Sequence, residues 1–479
     1  MRSIRHIPHS TMNWFLSVFS LLLVTTLIGN AETAKPHIVI YLSDDHSQYD
    51  SSLYGDKSIP TPNLEKLAAD GINFTHGFVA SPSCAPSRAA MLTGLMPARN
   101  GAEDNHSYPK PGTRSLILDL KQSGYETVSI GKVAHGNSAE SFGFDSVLKS
   151  DNPGKNPAEI LETITSLLNQ RDSSKPICLF IGTSDPHVPW PPKTGFDPAK
   201  VSLPPHSIDG PITRKQRAHY YQGIKNVDDL LGNLRTLIAE KLGANILFLH
   251  SSDHGAQWAF GKWNLYDYGT RVPFIATWPG TIKPNTTTSA MVSWIDIIPT
   301  LIEIGGGKAP SHIDGKSFLP VLLGQSKTHR ERIFTTHSGD REMNVYPIRA
   351  IRTANWKLIH NLRPDLAWTS HSDLLLRPFA GIHMSEWARL AKTDETAAAI
   401  MNRYHQRPEF EFYHVAADPW ETHNLINDPN HTEQIAILKT ELTTWRKSQN
   451  DSGKLFAKPR PLDQPETWHP DHWETTGKP

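Results

Sequence analysis

Four short apolar runs, rich in β-branched residues, recur along the first half of the chain, and each ends in polar residues able to do chemistry. His37-Ile-Val-Ile-Tyr-Leu42 leads into Ser43-Asp44-Asp45, and Thr127-Val-Ser-Ile130 into Gly131-Lys132-Val-Ala-His135. Ile177-Cys-Leu-Phe-Ile181 leads into Asp185-Pro-His187, and Asn245-Ile-Leu-Phe-Leu249 into Ser252-Asp253-His254-Gly255. Runs that are apolar at successive positions suit strands buried on both faces, as in a parallel sheet. Between them lie helix-like stretches: Asn63 to Asp70 after Pro62, Ser115 to Ser123 before Gly124, Ala158 to Gln170, and Arg214 to Lys241. The alternation predicts an α/β fold whose mostly parallel sheet carries helices on both faces. Ligands of such sheets bind beyond the carboxyl ends of the strands, so the four polar clusters should meet at one edge.

The pattern changes after about residue 325. Ile348 to Leu362 reads as short strands, Glu409 to His414 as another, and Thr432 to Lys447 as a terminal helix. We therefore expect a main domain over 32–330 and a smaller α+β subdomain over 331–479, with a small antiparallel sheet. The Pro- and Trp-containing tail after Ser452 should be extended and clasp the surface, or be partly disordered. At the other end, Arg2 and Arg5 precede an apolar run from Trp14 to Ile28 and then Gly29-Asn30-Ala31. This is the layout of a secretory signal peptide over 1–31, with an uncleaved anchor as the alternative, and it points to a periplasmic or secreted protein. No later stretch is apolar enough to span a membrane.

Composition narrows the classes. Lys and Arg number 48, as do Asp and Glu, so no global field attracts nucleic acid. Only Cys84 and Cys178 are present, which rules out a disulfide framework. With 37 prolines, 13 tryptophans and a mean hydropathy of −0.42, the chain suits a loop-rich enzyme.

One stretch stands out, Ser81-Pro-Ser-Cys84-Ala-Pro86-Ser-Arg88-Ala-Ala-Met-Leu-Thr93-Gly94. A lone cysteine is ordinarily a buried structural thiol. Here Pro86 restricts the backbone and Ala89-Ala-Met-Leu92 looks like a helix beginning, which would place residue 84 where free N–H groups favour an anion. Cys84-Ala-Pro86-Ser-Arg88 resembles the signature of the type I formylglycine-dependent sulfatases. The resemblance implies an alkaline-phosphatase-like α/β/α domain, and conversion of Cys84 to formylglycine by a maturation enzyme. A hydrated aldehyde can attack sulfur through one hydroxyl and later expel sulfate by collapse of the other, which spares the enzyme a slowly hydrolysed sulfoserine.

The resemblance also implies roles elsewhere. Asp44, Asp45, Asp253 and His254, with residue 84, are similar to the family's metal ligands, which usually hold one calcium ion. His254 stands where Asn is commoner. Lys132 and Lys262 look like the two lysines that contact sulfate, Arg88 like the donor that holds the hydrated formylglycine, His187 like the acid that protonates the leaving group, and His135 like its assistant. His135 follows Lys132 at a Gly-Lys-x-x-His spacing, where many relatives have Gly-Lys-x-His.

Three later stretches are similar to the C-terminal region of heparan N-sulfatases: Val345 to Arg352, Trp356 to Leu362, and Phe412 to Leu425. The expected substrate is thus a sulfated saccharide, with the N-sulfate of glucosamine favoured over an O-sulfate. His46, Asn105, His106, His337, Arg349 and His360 are the candidates for sugar or carboxylate contacts, because loops carry such residues. Two other readings stay open, a phosphonate or phosphate ester hydrolase using the same nucleophile, and a non-catalytic binder of sulfated carbohydrate.

Overall fold

The structure is a computed structural model that describes Met1 and residues 34–136, 138–148, 156–171 and 174–468. The signal-peptide reading over 1–31 lies outside the described residues apart from Met1. Among the described residues ten strands precede residue 300: β1 (His37–Ser43), β2 (Ile72–Phe74), β3 (Gly77–Phe78), β4 (Glu126–Gly131), β5 (Ser146–Leu148), β6 (Ile177–Gly182), β7 (Ile246–Ser252), β8 (Phe274–Thr277), β9 (Thr286–Thr288) and β10 (Val292–Ser293). Eight of them form one sheet in the order β5-β4-β6-β1-β7-β8-β2-β9, and β3 pairs with β10 alone.

The four apolar runs are β1, β4, β6 and β7, and they are neighbours in the sheet, all parallel. Their register is level at the carboxyl end: Gly131 pairs with Gly182, Gly182 with Leu42, and Ser43 with Ser252. β8 runs antiparallel to β7 and to β2, so the sheet is mixed on that side.

Successive side chains of a strand point to opposite faces, and β1 is apolar on both. Ile38, Ile40 and Leu42 pack with Met91, Leu92, Ile117, Leu120, Ile298 and Leu301, which belong to helices Cys84–Thr93, Ile117–Gln122 and Ile297–Ile304. Val39 and Tyr41 pack on the other face with Leu64, Ile160, Ile164, Val227 and Leu231, from helices Pro62–Ala69, Pro157–Gln170 and Pro211–Leu242. Three layers result. Each buried Ile or Leu here contributes about 1.5–3 kcal/mol. Cys178 belongs to the first of these cores, where burial pushes its thiol up.

β11 (Ile333–His337), β12 (Ile348–Arg352), β13 (Lys357–Asn361) and β14 (Phe410–Tyr413) form an antiparallel sheet in that order. Helix Thr432–Ser448 covers it through Ile435, Leu438 and Leu442. Between β13 and β14 the chain makes three helices, His371–Leu375, His383–Leu390 and Glu395–His405, which the sequence pattern did not single out. The tail runs back along this insertion: Ala367 N–H donates to Arg460 O, Leu462 N–H to Asp365 O, and Trp468 is buried against His405. The large sheet meets the small one through Asp267, which is buried and ion-paired with Arg352 and Lys357. Among the described residues no helix is long and apolar enough to cross a membrane.

Candidate active site

The level register of β1, β4, β6 and β7 brings their polar ends to one place. The link after β4 crosses the end of β6, where Gly182 leaves room: a Cβ there would lie 2.1 Å from Lys132 O. Asp45 adopts a left-handed φ of 69°, a conformation that Asp tolerates better than most residues. Adjacent carboxylates then serve different partners, Asp44 pairing with Lys132 and Asp45 with Lys262 Nζ at 3.0 Å.

Helix Cys84–Thr93 begins at residue 84 itself and ends at Gly94, whose φ of 66° is the left-handed cap that glycine favours. Cys84 therefore sits in the first turn, at the positive end of the helix dipole. Its Sγ lies 3.3 Å from His254 Nε2, 3.5 Å from Asp44 Oδ1 and 3.8 Å from Lys132 Nζ. One turn along, Arg88 Nε donates to Asp253 Oδ2 at 2.9 Å, and its Nη1 donates to Lys132 O. Ser87 Oγ donates to Asp253 O at 2.6 Å, which ties the helix to the end of β7.

Asp44, Asp45, Asp253 and His254 are fully buried. One ligand atom from each of Asp44, Cys84, Asp253 and His254 falls within 4.8 Å of the others, as does one from each of Asp44, Asp45, Cys84 and His187. His254 Nδ1 lies 3.0 Å from Gly255 O. That carbonyl holds a proton on Nδ1 and leaves Nε2 directed at the carboxylates, 3.4 Å from Asp45 Oδ1 and 3.6 Å from Asp253 Oδ2. The donor set thus fits a divalent cation, with carboxylate oxygens suiting a hard ion.

The protonation states of the cluster follow from this packing of carboxylates against cations. Burial opposes the charge on Asp44, yet Lys132, His187 and Arg88 hold its carboxyl well below the usual range. Burial pushes Asp45 up to about 7 against the pull of Lys262 and His254. Burial also works against charge on His254, but Asp253, Cys84 and Asp45 lift it to about 9. Lys132, Lys262, Arg88 and a protonated His254 balance the three carboxylates.

Cys84 closes one end of a cavity of about 330 Å³. His135, His187 and Lys262 line it with Cys84, and so do Asn105 and His106 from the candidate sugar contacts. His187 Nδ1 is 2.6 Å from Val188 O, so its other nitrogen, Nε2, is the one left for chemistry. Burial, with Lys262 and Lys132, holds His187 well below the ordinary histidine range, and burial with Lys132 and Arg88 lowers His135 to about 4.

The other four candidate contacts lie outside this cavity. His46 is buried with Nε2 3.0 Å from Asp50 O. His337, on β11, is buried against Asn344 Oδ1 at 2.9 Å. Arg349, on β12, is buried in an ion pair with Asp451 at 2.6 Å. His360, on β13, stacks on Phe410 at 4.2 Å. Each is occupied in holding the fold.

The cavity wall instead uses residues that the sequence reading did not name: Gln257, Trp263, Asp340, His371 and Arg377. Asp340 is the hub. Its Oδ2 accepts from Asn105 Nδ2 and Trp263 Nε1, each at 2.8 Å, and lies 3.3 Å from His371 Nε2. Trp263 directly follows Lys262 in the chain. Asp340, His371 and Arg377 stand in loops or short helices with no pattern to mark them.

An α/β/α sandwich with a mostly parallel central sheet and a separate small antiparallel sheet is the alkaline-phosphatase-like fold, and it defines the class by architecture. A phosphonate monoester hydrolase of Agrobacterium radiobacter has this fold, with a TM-score of 0.67 and 17% identity over 87% of this chain and 96% of that one. So has a protein solved with its substrate D-glucosamine-2-N,6-O-disulfate, with a TM-score of 0.68 and 21% identity over 87% of this chain and 99% of that one.

Within the class, the sulfatase family profile matches residues 36–307, and the profile of the N-sulphoglucosamine sulphohydrolase C-terminal region matches residues 254–374. An ulvan-active sulfatase of Formosa agariphila is 30% identical over 428 residues, which cover 88% of this chain and 82% of that protein. The human N-sulphoglucosamine sulphohydrolase is 27% identical over 494 residues, covering 90% and 95% respectively. The chain belongs to the sulfatase family and is an enzyme of that family.

Proposed function

We propose that the protein removes a sulfate group from a sulfated saccharide, with residue 84 acting as formylglycine and calcium as the bound ion. The observation that carries this reading is the position of Cys84: first turn of a helix, Asp44, Lys132 and His254 within 3.8 Å, and a cavity beyond. Formylglycine supplies a hydrated aldehyde as nucleophile, and its formation requires a maturation enzyme in the producing cell. Asp44, Asp45, Asp253 and His254 would hold the ion, which supplies positive charge for sulfate oxygens. The N-terminal apolar run supports export.

The chain's own residues supply the rest. Lys262 lines the cavity and Lys132 lies 3.8 Å from Cys84 Sγ, two point charges suited to the oxygens that gain charge as the bond to sulfur breaks. Arg88 braces Asp253 and the Lys132 loop and so fixes the geometry around residue 84. His187 Nε2 delivers a proton to the departing group. The charges that depress His187 are those of Lys262 and Lys132, the same two that a sulfate group neutralises, so substrate binding itself raises its proton affinity. His135 takes a proton on the nucleophile's side.

A cavity of about 330 Å³ suits one sugar ring at a chain end. We favour the N-sulfate of a terminal glucosamine, supported by the C-terminal profile match and the human relative. The Formosa relative supports a second reading, an O-sulfate on another polysaccharide. Release of sulfate from N-sulfoglucosamine, 6-O-sulfoglucosamine and sulfated ulvan oligosaccharides, beside aryl sulfate and aryl phosphate esters, tests both. The first reading expects N-sulfoglucosamine to have the highest kcat/KM. Preference for aryl phosphate would overturn both readings.

A further inference from the structure

The residues behind His135 decide which of its ring nitrogens is free. His135 Nε2 lies 2.6 Å from His106 Nδ1, with the rings edge to face at 4.5 Å. One nitrogen of that pair must carry the proton and the other must accept it. The far side of His106 settles which. Its Nε2 faces Asp340 Oδ1 at 3.5 Å, and among the described residues that buried oxygen has no hydrogen-bond partner. Burial opposes the charge on Asp340, but His371, Asn105 and His106 hold it well below the usual carboxylate range, so it is an acceptor only.

His106 accordingly carries its proton on Nε2 and offers Nδ1 as a lone pair. His135 must then donate through Nε2, which leaves its Nδ1 bare. That atom is buried and, among the described residues, without a partner, on a residue lining the cavity that Cys84 closes. The opposite arrangement would set a bare His106 nitrogen against a carboxylate and strand a buried N–H on His135, a desolvation cost of about 1–3 kcal/mol.

We infer that Asp340 and His106 are positioning residues that lock His135 in the tautomer with a free Nδ1 lone pair, ready to take a proton at the nucleophile. The chain is a hydrogen bond from His135 Nε2–H to His106 Nδ1, backed by the Asp340 carboxylate, whose Oδ1 faces His106 Nε2–H across 3.5 Å. It gives His106 a different task from the sugar contact expected from the sequence. The inference deepens the proposed function and rests on it for the purpose of the proton, though the tautomer itself does not depend on activity.

The test is nitrogen-15 NMR of histidine-labelled, full-length protein carrying Cys84 at neutral pH, with the His135 signals assigned by their loss in His135→Asn. The expected spectrum shows a protonated Nε2 and an unprotonated Nδ1 on His135. A proton on Nδ1 overturns the inference. In the matured enzyme, His106→Phe keeps a ring but no acceptor, and should lower kcat about tenfold or more with KM within about twofold. His106→Asn, whose Oδ1 can stand in for Nδ1, should recover most of that loss, and equal loss in the two variants overturns the inference. If the tautomer is as stated but matured wild-type protein turns over no sulfated substrate, the proposed function falls and the positioning chain stands.

Discussion

The floor and the wall of the cavity are built in opposite ways. The floor comes from the ends of four adjacent parallel strands, the first turns of one helix and the loop after β7 that carries Lys262, and its charged groups are buried or nearly so and paired with one another. The wall comes from later loops that fold over that edge, and its residues include the half-exposed His106 and His371 and the exposed Arg377. A sheet edge holds atoms to a few tenths of an ångström and suits bond-breaking, which is intolerant of misplacement. Loops tolerate substitution and suit the choice of sugar. The contrast predicts that floor variants lose turnover and wall variants lose discrimination.

The largest effect should follow Cys84→Ala, which removes the nucleophile and should lower kcat by at least about 10⁴-fold, measured by sulfate release. Lys262→Ala should come next, with a loss of about 10²–10³-fold in kcat. It also strips Asp45 of its lysine and leaves His254 as its remaining counter-charge. In cation-free protein that destabilises the fold, visible as a lower Tm that added calcium partly restores. On the wall, Arg377→Ala should act more weakly. Arg377 lines the cavity mouth, and its loss should raise KM for a saccharide with a second anionic group about tenfold while leaving kcat within about twofold. A fall in kcat as large as that of Lys262→Ala would erase the distinction between floor and wall.

The pH profile offers a smaller test. Burial, Lys132, Arg88 and Lys262 lower His135 to about 4, against the opposing pull of Asp44. Because the lowered group loses its lone pair only as pH falls through that value, the loss of kcat/KM that reports His135 should be centred near pH 4, with the growing protonation of His187 acting in the opposite sense. An acid limb centred near the ordinary histidine value would show that the floor does not depress His135.

The same contrast explains what could be read from the chain alone. Asp44, Lys132, His187 and Asp253 each follow an apolar run, and the rule that parallel strands end at a ligand edge is enough to group them. Trp263, Asp340, His371 and Arg377 escape because they meet the site only through loop paths and an insertion of three helices between β13 and β14. No periodicity marks the loop residue that will face a cavity. His337, Arg349 and His360 lie outside the cavity for a related reason: they are polar residues on short strands, and their partners, Asn344, Asp451 and Phe410, follow from pairings that the local pattern does not show. The helix that opens at Cys84, rather than a few residues later, was hidden by Pro86, which is well tolerated in a first turn.

The central claim is that residue 84 works as formylglycine. Mass spectrometry of the tryptic peptide containing residue 84, from protein made in its native host and assayed in parallel for sulfate release, tests it most directly. The account predicts a peptide about 18 Da lighter than the cysteine form, in a fraction that rises and falls with kcat across preparations. Full sulfatase turnover by protein carrying only unmodified Cys84 would contradict it.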